Sequence, residues 1–208
     1  MGGHKGGDVA SGLAVETVTR ELAERLGGVA RGSGANASHA PETELAREIV
    51  VEANTIVHET ARTQPQYEGM GTTLVVALFH DERVTLAHVG DSRAYRLRGR
   101  NLEQLTRDHT LMQELVERGF YTREEAHASL NRNIVTRALG IEASVDVELQ
   151  EDIALAGDLY LLCSDGLNDM IDDETIRLTL DEFGDNLDTA ADRLIAAANE
   201  HGGQDNVS

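Results

Sequence analysis

The sequence predicts an α+β fold built on antiparallel sheet. Helical periodicity comes first, pairs of apolar segments joined by short turns occupy the middle, and helical periodicity returns at the end. Strands grouped between groups of helices are typical of α+β proteins and differ from the strand–helix alternation of parallel sheets. With 208 residues, of which 40% are apolar, the chain can build one sizeable domain around its own core.

Two amphipathic helices are predicted at the start of the chain. Apolar residues recur at helical spacing from Val9 to Leu26, and Gly27–Gly28 ends the pattern. A loop rich in Gly, Ser and Asn follows, and Pro41 then suits the first position of a second helix. That helix is expected to end before the segment "TQPQYEG".

The middle of the chain predicts two hairpins. The segments "TTLVVALF" and "VTLAHVG" are β-branched and apolar around the turn "HDER", and "SRAYRLR" and "NLEQLT" flank "GR" in the same way. Apolar residues fall on both faces of the first two strands, so both faces need to be covered. Two more strands are predicted in "VDVELQ" and "DLYLLCS". Further helices are predicted in "LMQELVERG", "TREEAHASL", "DDETIRLTL" and "NLDTAADRLIAAANEH".

Net charge and cysteine content indicate which partners and which cellular location to expect. The formal net charge is −19, which disfavours nucleic acid and anionic membrane as partners. Clustered carboxylates would suit a hard divalent cation, although a solvated acidic surface explains the charge as well. The single cysteine, Cys163, lies in an apolar strand and is expected to be a buried, inert thiol. With no signal peptide or membrane span recognised, the expected location is the cytoplasm.

Three acidic segments carry the candidate chemistry. "LAHVGDSR" and "LYLLCSDGLND" place Asp91 and Asp165 at the ends of apolar strands, and "HGGQDNVS" presents Asp205 after a glycine turn. Such an aspartate is costly to leave unpaired, so it caps a turn, meets a cation or binds a metal. Three such aspartates in one acidic chain favour a set of oxygen ligands only, which selects Mg²⁺, Mn²⁺ or Ca²⁺ over zinc. The histidines show no ligand pairing, and we expect them at the surface or satisfied in the core.

Seven segments, taken in order, resemble the motifs of a known family. They are "MGGHKGGDVAS", "GMGTTLVVALF", "LAHVGDSRAYRLR", "LTRDHT", "NIVTRALG", "LCSDGLND" and "GGQDNVS". Together they are similar to the metal-dependent protein serine/threonine phosphatases (PPM, or type 2C) in bacterial form. The resemblance implies a sandwich of two antiparallel sheets with helices on both outer faces, an αββα arrangement of layers.

The same resemblance implies a reaction and its requirements. The expected reaction is hydrolysis of phosphoserine and phosphothreonine on proteins by a metal-activated water, with no protein nucleophile. Two or three Mn²⁺ or Mg²⁺ ions are expected at one end of the sandwich. The expected partners are phosphorylated proteins and a cognate serine/threonine kinase, and the enzyme is expected to be monomeric.

Site residues follow from the resemblance position by position. Asp165 and Asp205 match ligands of the first metal ion. Asp91 and Asp169 match ligands of a more weakly held third ion, with Asp165 shared. Asn206 matches a residue that orients Asp205.

The two ends of the sequence depart from the family pattern. Gly2, Gly3 and His4 match a glycine-rich metal motif, without an assigned role, but the Asp-Gly pair that precedes it in the family does not occur here. The resemblance therefore predicts one domain over residues 1–208, truncated at both ends, with a flap insertion over residues 108–133.

Two functions from different classes remain open at this point. The retained aspartates favour an active protein phosphatase that reverses kinase action. The missing Asp-Gly pair favours a catalytically impaired fragment, or a non-catalytic binding or regulatory remnant of the same fold. On that second view the chain would be a poor phosphatase and a weak folder.

Overall fold

The computed structural model describes residues 3–28, 39–122, 125, 134–203 and 205–208. Within these ranges it contains six α-helices and two three-stranded antiparallel sheets. In chain order the elements are α1 (Gly3–Arg25), α2 (Pro41–Thr63), β1 (Leu74–His80), β2 (Arg83–Val89), β3 (Arg93–Arg98), β4 (Asn101–Gln104), α3 (Leu111–Glu117), β5 (Glu148–Ile153), β6 (Leu159–Cys163), α4 (Asp165–Asn168), α5 (Asp173–Phe183) and α6 (Leu187–Glu200). The predicted α+β class and both predicted hairpins are confirmed.

The chain divides into two compact units. One comprises Met1–Gly90 and Asp108–Ile153, and the other comprises Asp91–Arg107 and Ala154–Ser208. The first unit holds the sheet with strand order β1-β2-β5, and the second holds the sheet with order β4-β3-β6. Each sheet therefore lies wholly within one unit.

In the first unit, helices α1 and α2 pack on one face of the sheet. Small residues of α1, including Ala10 and Ala14, lie in one buried cluster with Ile49 and Val57 of α2. The same cluster takes in Ala87 and Val89 of β2. Helix α2 begins at Pro41 as predicted, because the missing N–H of a proline costs nothing in the first turn.

Strands of this first sheet differ from expectation in two respects. Strand β2 is buried on both faces from Val84 to Val89, as predicted, but β1 alternates and leaves Phe79 54% exposed. Strand β5 begins at Glu148, three residues later than the pattern in "VDVELQ" indicates. Val145 and Val147 pack against the apolar cluster without joining the strand ladder, which explains the shift.

The second unit packs α5 and α6 on the sheet β4-β3-β6. Ile176 of α5 and Leu194 of α6 are buried in one cluster with Tyr95, Leu97 and Cys163 of the strands. The Asp172 and Asn186 side chains cap the two helices by accepting backbone N–H groups at 2.8 and 3.1 Å. Cys163 is 6% exposed, which confirms the predicted buried thiol.

The predicted flap is described only in part. Helix α3 lies where "LMQELVERG" predicts it, and Thr110 caps it by accepting the Gln113 N–H at 3.2 Å. The helix predicted in "TREEAHASL" falls largely outside the described residues, as does the end of the flap over 126–133. Among the residues described, no helix has both the length and the apolarity that a membrane crossing requires.

Candidate metal centre

Antiparallel pairing brings two of the predicted ligands to one end of the second sheet. Strand β3 begins where β6 ends, because Arg93 pairs with Cys163. Asp91 lies two residues before Arg93, and Asp165 lies two residues after Cys163, so both aspartates lie just beyond this pair. Asp91 is 7% exposed, and Asp165 is half-buried. The apolar residues that hold β3 and β6 in the core therefore carry both carboxylates to the same edge.

Asp165 lies among like charges. It is the first residue of α4. Only Ser164, the N-cap of α4, separates it from Cys163 at the end of β6. Burial raises the pKa of the Asp165 carboxyl above its usual range, and the negative charges of Asp169 and Asp205 raise it further. Backbone N–H groups at the start of α4 oppose this shift only in part. Carboxylates that repel one another in this way form a donor set that suits a divalent cation.

Asp169 is placed by the short helix itself. It follows Asp165 by four residues, and its N–H donates to the Asp165 carbonyl at 2.9 Å. Residues four apart on a helix lie on the same face one turn apart. The two carboxylates are therefore held near each other by local structure alone.

Asp205 is placed by a contact between distant parts of the second unit. The Ser164 N–H donates to the Ser208 carbonyl, and the Ser164 hydroxyl donates to the Asn206 carbonyl, both at 3.1 Å. The Ser208 N–H donates in turn to the Ser164 hydroxyl oxygen at 3.1 Å. These bonds fasten the last residues of the chain beside the start of α4, with Asp205 just before them.

Gly166 makes that contact possible. A Cβ atom at this position would lie 2.3 Å from the Asn206 carbonyl oxygen, so no larger residue fits without displacing the segment. A sharp turn does not account for this glycine. Gly166 lies inside α4 and has no positive φ, and close backbone approach is what requires it.

Asn206 contacts Asp205 through its backbone. The Asn206 N–H donates to Asp205 Oδ1 at 2.7 Å, which fixes the direction of the carboxylate. Of the other motif-matched residues, Gly3 and His4 fall in the first turn of α1. Gly2 and the side chain of His4 lie outside the described residues.

A hydrogen-bonded chain ties β3 to α5 behind the carboxylates. Arg93 Nη1 donates to the Tyr95 hydroxyl oxygen at 2.9 Å, and that hydroxyl donates to Asp173 Oδ1 at 3.1 Å. The Tyr95 side chain is fully buried. Burial raises the pKa of Tyr95 far above its usual range, so the hydroxyl keeps its proton as a donor.

The first unit contains a second titratable cluster, formed by His88, His109 and Glu148. One ligand-type atom from each lies within 4.8 Å of the other two. The two imidazoles stack with centroids 4.7 Å apart and planes 19° from parallel. Sequence reasoning missed this cluster, although a histidine near the end of the buried strand β2 could have drawn attention to it.

Bonds already occupy the ring nitrogens of His109. Its Nδ1 accepts the Gly90 N–H at 3.1 Å, and its Nε2 lies 3.2 Å from a Glu148 carboxylate oxygen. The Arg137 guanidinium approaches the same Nε2 to 3.5 Å and would repel a cation there. Two nearly parallel, stacked rings also cannot both point a lone pair at one ion. The cluster thus fits the prediction of histidines satisfied in the core, and does not fit a metal site.

Comparison with known proteins decides the family. The family model described as protein phosphatase 2C matches residues 1–200. The chain belongs to the protein phosphatase 2C family. This confirms the resemblance that the seven sequence motifs indicate.

Bacterial members of the family are similar over the whole chain. The serine/threonine protein phosphatase PstP of Mycobacterium tuberculosis is 40% identical over 211 residues, a match that covers 100% of this chain and 38% of PstP. The serine/threonine phosphatase Stp of Listeria welshimeri is 38% identical, with 100% and 79% covered. The chain therefore spans about two fifths of PstP and about four fifths of Stp.

Solved structures agree with this family at the level of the fold. The crystal structure of the M. tuberculosis phosphatase PstP/Ppp aligns with a TM-score of 0.84 at 40% identity, covering 100% of this chain and 82% of that one. The catalytic domain of PstP in complex with two manganese ions aligns with a TM-score of 0.81 at 38% identity, covering 100% and 81%.

Proposed function

We propose that this protein is a metal-dependent protein serine/threonine phosphatase. It hydrolyses phosphoserine and phosphothreonine on proteins and so reverses the action of a serine/threonine kinase. The observation that supports this most strongly is the convergence of Asp165, Asp169 and Asp205 at the end of an apolar strand, where their charges repel. In a protein phosphatase 2C chain, a divalent cation is the group that relieves such repulsion.

The ligands are assigned to two classes of ion. Asp165 and Asp205 hold the first ion, and Asp91 and Asp169, with Asp165 shared, hold a weaker one. Oxygen-only ligands select Mn²⁺ or Mg²⁺. The structure of PstP in complex with two manganese ions supports a site for more than one ion.

The chain's own residues position this chemistry. When bound, paired divalent ions lower the pKa of a water molecule, orient it towards phosphorus and offset the charge that develops on the phosphoryl oxygens. Strand β6 and the first turn of α4 aim Asp165, while the Asn206 N–H aims Asp205. No protein nucleophile is assigned. Cys163 is buried in the core cluster of the second unit, out of reach of a substrate.

The expected biological setting follows from the reaction. The substrates are phosphorylated proteins, and a cognate serine/threonine kinase supplies them in the cytoplasm. A net charge of −19 argues against nucleic acid or anionic membrane as a partner. We propose that residues 1–208 form one phosphatase domain that acts as a monomer, with the flap over 108–133 influencing substrate choice.

A hydrolysis assay tests the proposed function. The protein should release phosphate from phosphoserine and phosphothreonine peptides and from p-nitrophenyl phosphate when Mn²⁺ is present, and excess EDTA should abolish the reaction. The Cys163→Ala variant should keep the wild-type rate within about threefold, because the thiol takes no part. Hydrolysis that resists EDTA, or that disappears in Cys163→Ala while the fold remains intact, would contradict the proposal.

A further inference from the structure

The proposed ligands of the weaker ion lie on two separate arms of the second unit. Asp91 lies two residues before the start of β3, while Asp169 follows the short helix α4 and leads towards α5. Strand pairing and the short helix α4 already bring the two carboxylates to the same end of the sheet. A bonded link between the start of β3 and the start of α5 adds a further constraint on the distance between them.

The hydrogen-bonded chain through Tyr95 joins these arms. Arg93, two residues after Asp91, donates to the Tyr95 hydroxyl oxygen, and that hydroxyl donates to Asp173, four residues after Asp169. The Tyr95 ring packs in the core cluster of this unit with no exposed surface, so the hydroxyl has a fixed position. Asp173 is the first residue of α5 and moves with the loop that carries Asp169.

We propose that Tyr95 is a positioning residue, whose hydroxyl holds the Asp91 and Asp169 arms at the separation that the weaker divalent ion requires. The inference rests on the proposed function, because it takes the assignment of these two aspartates from there. Tyr95 touches neither substrate nor ion. Its effect is carried by Arg93 on one side and Asp173 on the other.

The effect should be selective. The tighter ion is assigned to Asp165 and Asp205, which are fixed by β6, α4 and the bonds between Ser164 and the chain end. None of these contacts involves the Tyr95 hydroxyl. Removal of that hydroxyl should therefore weaken the second class of ion and leave the first unchanged.

The test is a calorimetric Mn²⁺ titration of wild type and Tyr95→Phe, which keeps the ring and removes only the hydroxyl. The wild type should show a tight and a weak class of site. In Tyr95→Phe the dissociation constant of the weak class should rise about tenfold, since the hydroxyl's hydrogen bonds to Arg93 and Asp173 are both lost, and the tight class should stay within about twofold. Tyr67→Phe, in the first unit, is the matched control and should change neither.

Two variants of Asp173, the exposed hydrogen-bond partner of Tyr95, keep the inference testable if Tyr95→Phe does not fold. Asp173→Ala removes the acceptor and should reproduce the tenfold weakening. Asp173→Asn keeps an oxygen that can accept the hydroxyl proton and should restore the weak class to near its wild-type affinity.

Three results would overturn the inference. The first is a lower melting temperature in Tyr95→Phe with both Mn²⁺ affinities unchanged, which is what a purely structural tyrosine predicts. The second is an equal loss in both classes. The third is a wild-type protein that binds no Mn²⁺ at all, which would overturn the proposed function together with the inference.

Discussion

Each of the two compact units holds a cluster of titratable side chains. The first cluster pairs its groups by hydrogen bonds, whereas the second brings like charges together. In the first unit, burial lowers the pKa of His109, while the hydrogen bond to Glu148 partly opposes this. The ring is thus kept neutral and bonded at both nitrogens. In the second unit, burial and two neighbouring carboxylates raise the pKa of Asp165. The backbone N–H groups at the start of α4 oppose this shift only in part.

This difference separates a structural cluster from a functional one. The histidine cluster supplies its own partners and needs nothing further to be stable. The aspartate cluster brings charges of one sign together at the end of a strand, where an added divalent cation would offset their repulsion. Perturbed pKa values of this second kind are characteristic of functional sites, because a fold selected for stability alone would avoid them.

The largest expected effect comes from removing one charge at the aspartate cluster. Asp165→Asn keeps the shape of the side chain and should lower Mn²⁺-dependent phosphopeptide hydrolysis by about a hundredfold or more, because a ligand shared by both classes of ion is lost. Asp192→Asn, on the exposed face of α6, removes the same charge and should change the rate less than twofold. Near-equal rates in the two variants would mean that Asp165 only caps a turn.

A smaller effect should follow from filling the space at Gly166. Gly166→Ala places a methyl group 2.3 Å from the Asn206 carbonyl, which forces the Asp205 segment away from α4. We expect Mn²⁺ affinity to fall about tenfold and stability to drop by about 1–3 kcal/mol, as overpacking does. Gly12→Ala in α1 is the control, since nothing lies within 4 Å of the added methyl.

That control should behave in the opposite direction. An alanine inside a helix is favoured over glycine, so Gly12→Ala should raise the free energy of unfolding by up to about 1 kcal/mol. Its Mn²⁺ affinity should equal that of wild type. Urea unfolding followed by Mn²⁺ titration measures both quantities on each variant. A Gly166→Ala protein with wild-type stability and affinity would show that the close approach to Asn206 does not hold the site together.

The smallest expected effect concerns stability without metal. Because the folded-state pKa of Asp165 is raised, its charge destabilises the folded protein at neutral pH, and this penalty disappears as the pH falls through the folded and then the unfolded pKa. In EDTA, Asp165→Asn should therefore melt a few degrees above wild type near neutral pH. The difference should vanish near pH ~4, close to the ordinary pKa of aspartate.

Melting curves of wild type, Asp165→Asn and Asp192→Asn at several pH values provide the measurement. Asp192→Asn should track wild type throughout, because its carboxylate lies exposed on α6. An Asp165→Asn protein less stable than wild type at neutral pH would mean that the Asp165 charge stabilises the folded protein, which contradicts the repulsion.

Local signals made much of the fold and several of the candidate ligands predictable from the sequence. Pro41 marks the start of α2, the turn "HDER" separates β1 from β2, and the periodicity of the last segments predicts α5 and α6. Each depends on residues within a few positions of one another. Asp91, Asp165 and Asp205 stand out for the same reason, since each follows an apolar strand or a glycine turn in its own segment. Asp169 and the assignment of ligands to ions come only from the family resemblance.

What the sequence could not predict depends on contacts between distant segments. A four-residue helix such as α4 has no periodicity to detect, and the reason for Gly166 is a carbonyl forty residues away. The stacking of His88 on His109 and the bond to Glu148 join three separate segments. The Tyr95 hydroxyl likewise meets Asp173 only in the folded unit.

Binding of divalent cations by the aspartate cluster of the second unit can be measured by calorimetric Mn²⁺ titration of wild type and Asp165→Asn. We expect saturable binding to wild type and to the Asp192→Asn control, with affinity at least about a hundredfold weaker in Asp165→Asn, whose fold remains intact by circular dichroism. Equal Mn²⁺ affinity in wild type and Asp165→Asn, or no binding to either, would contradict it.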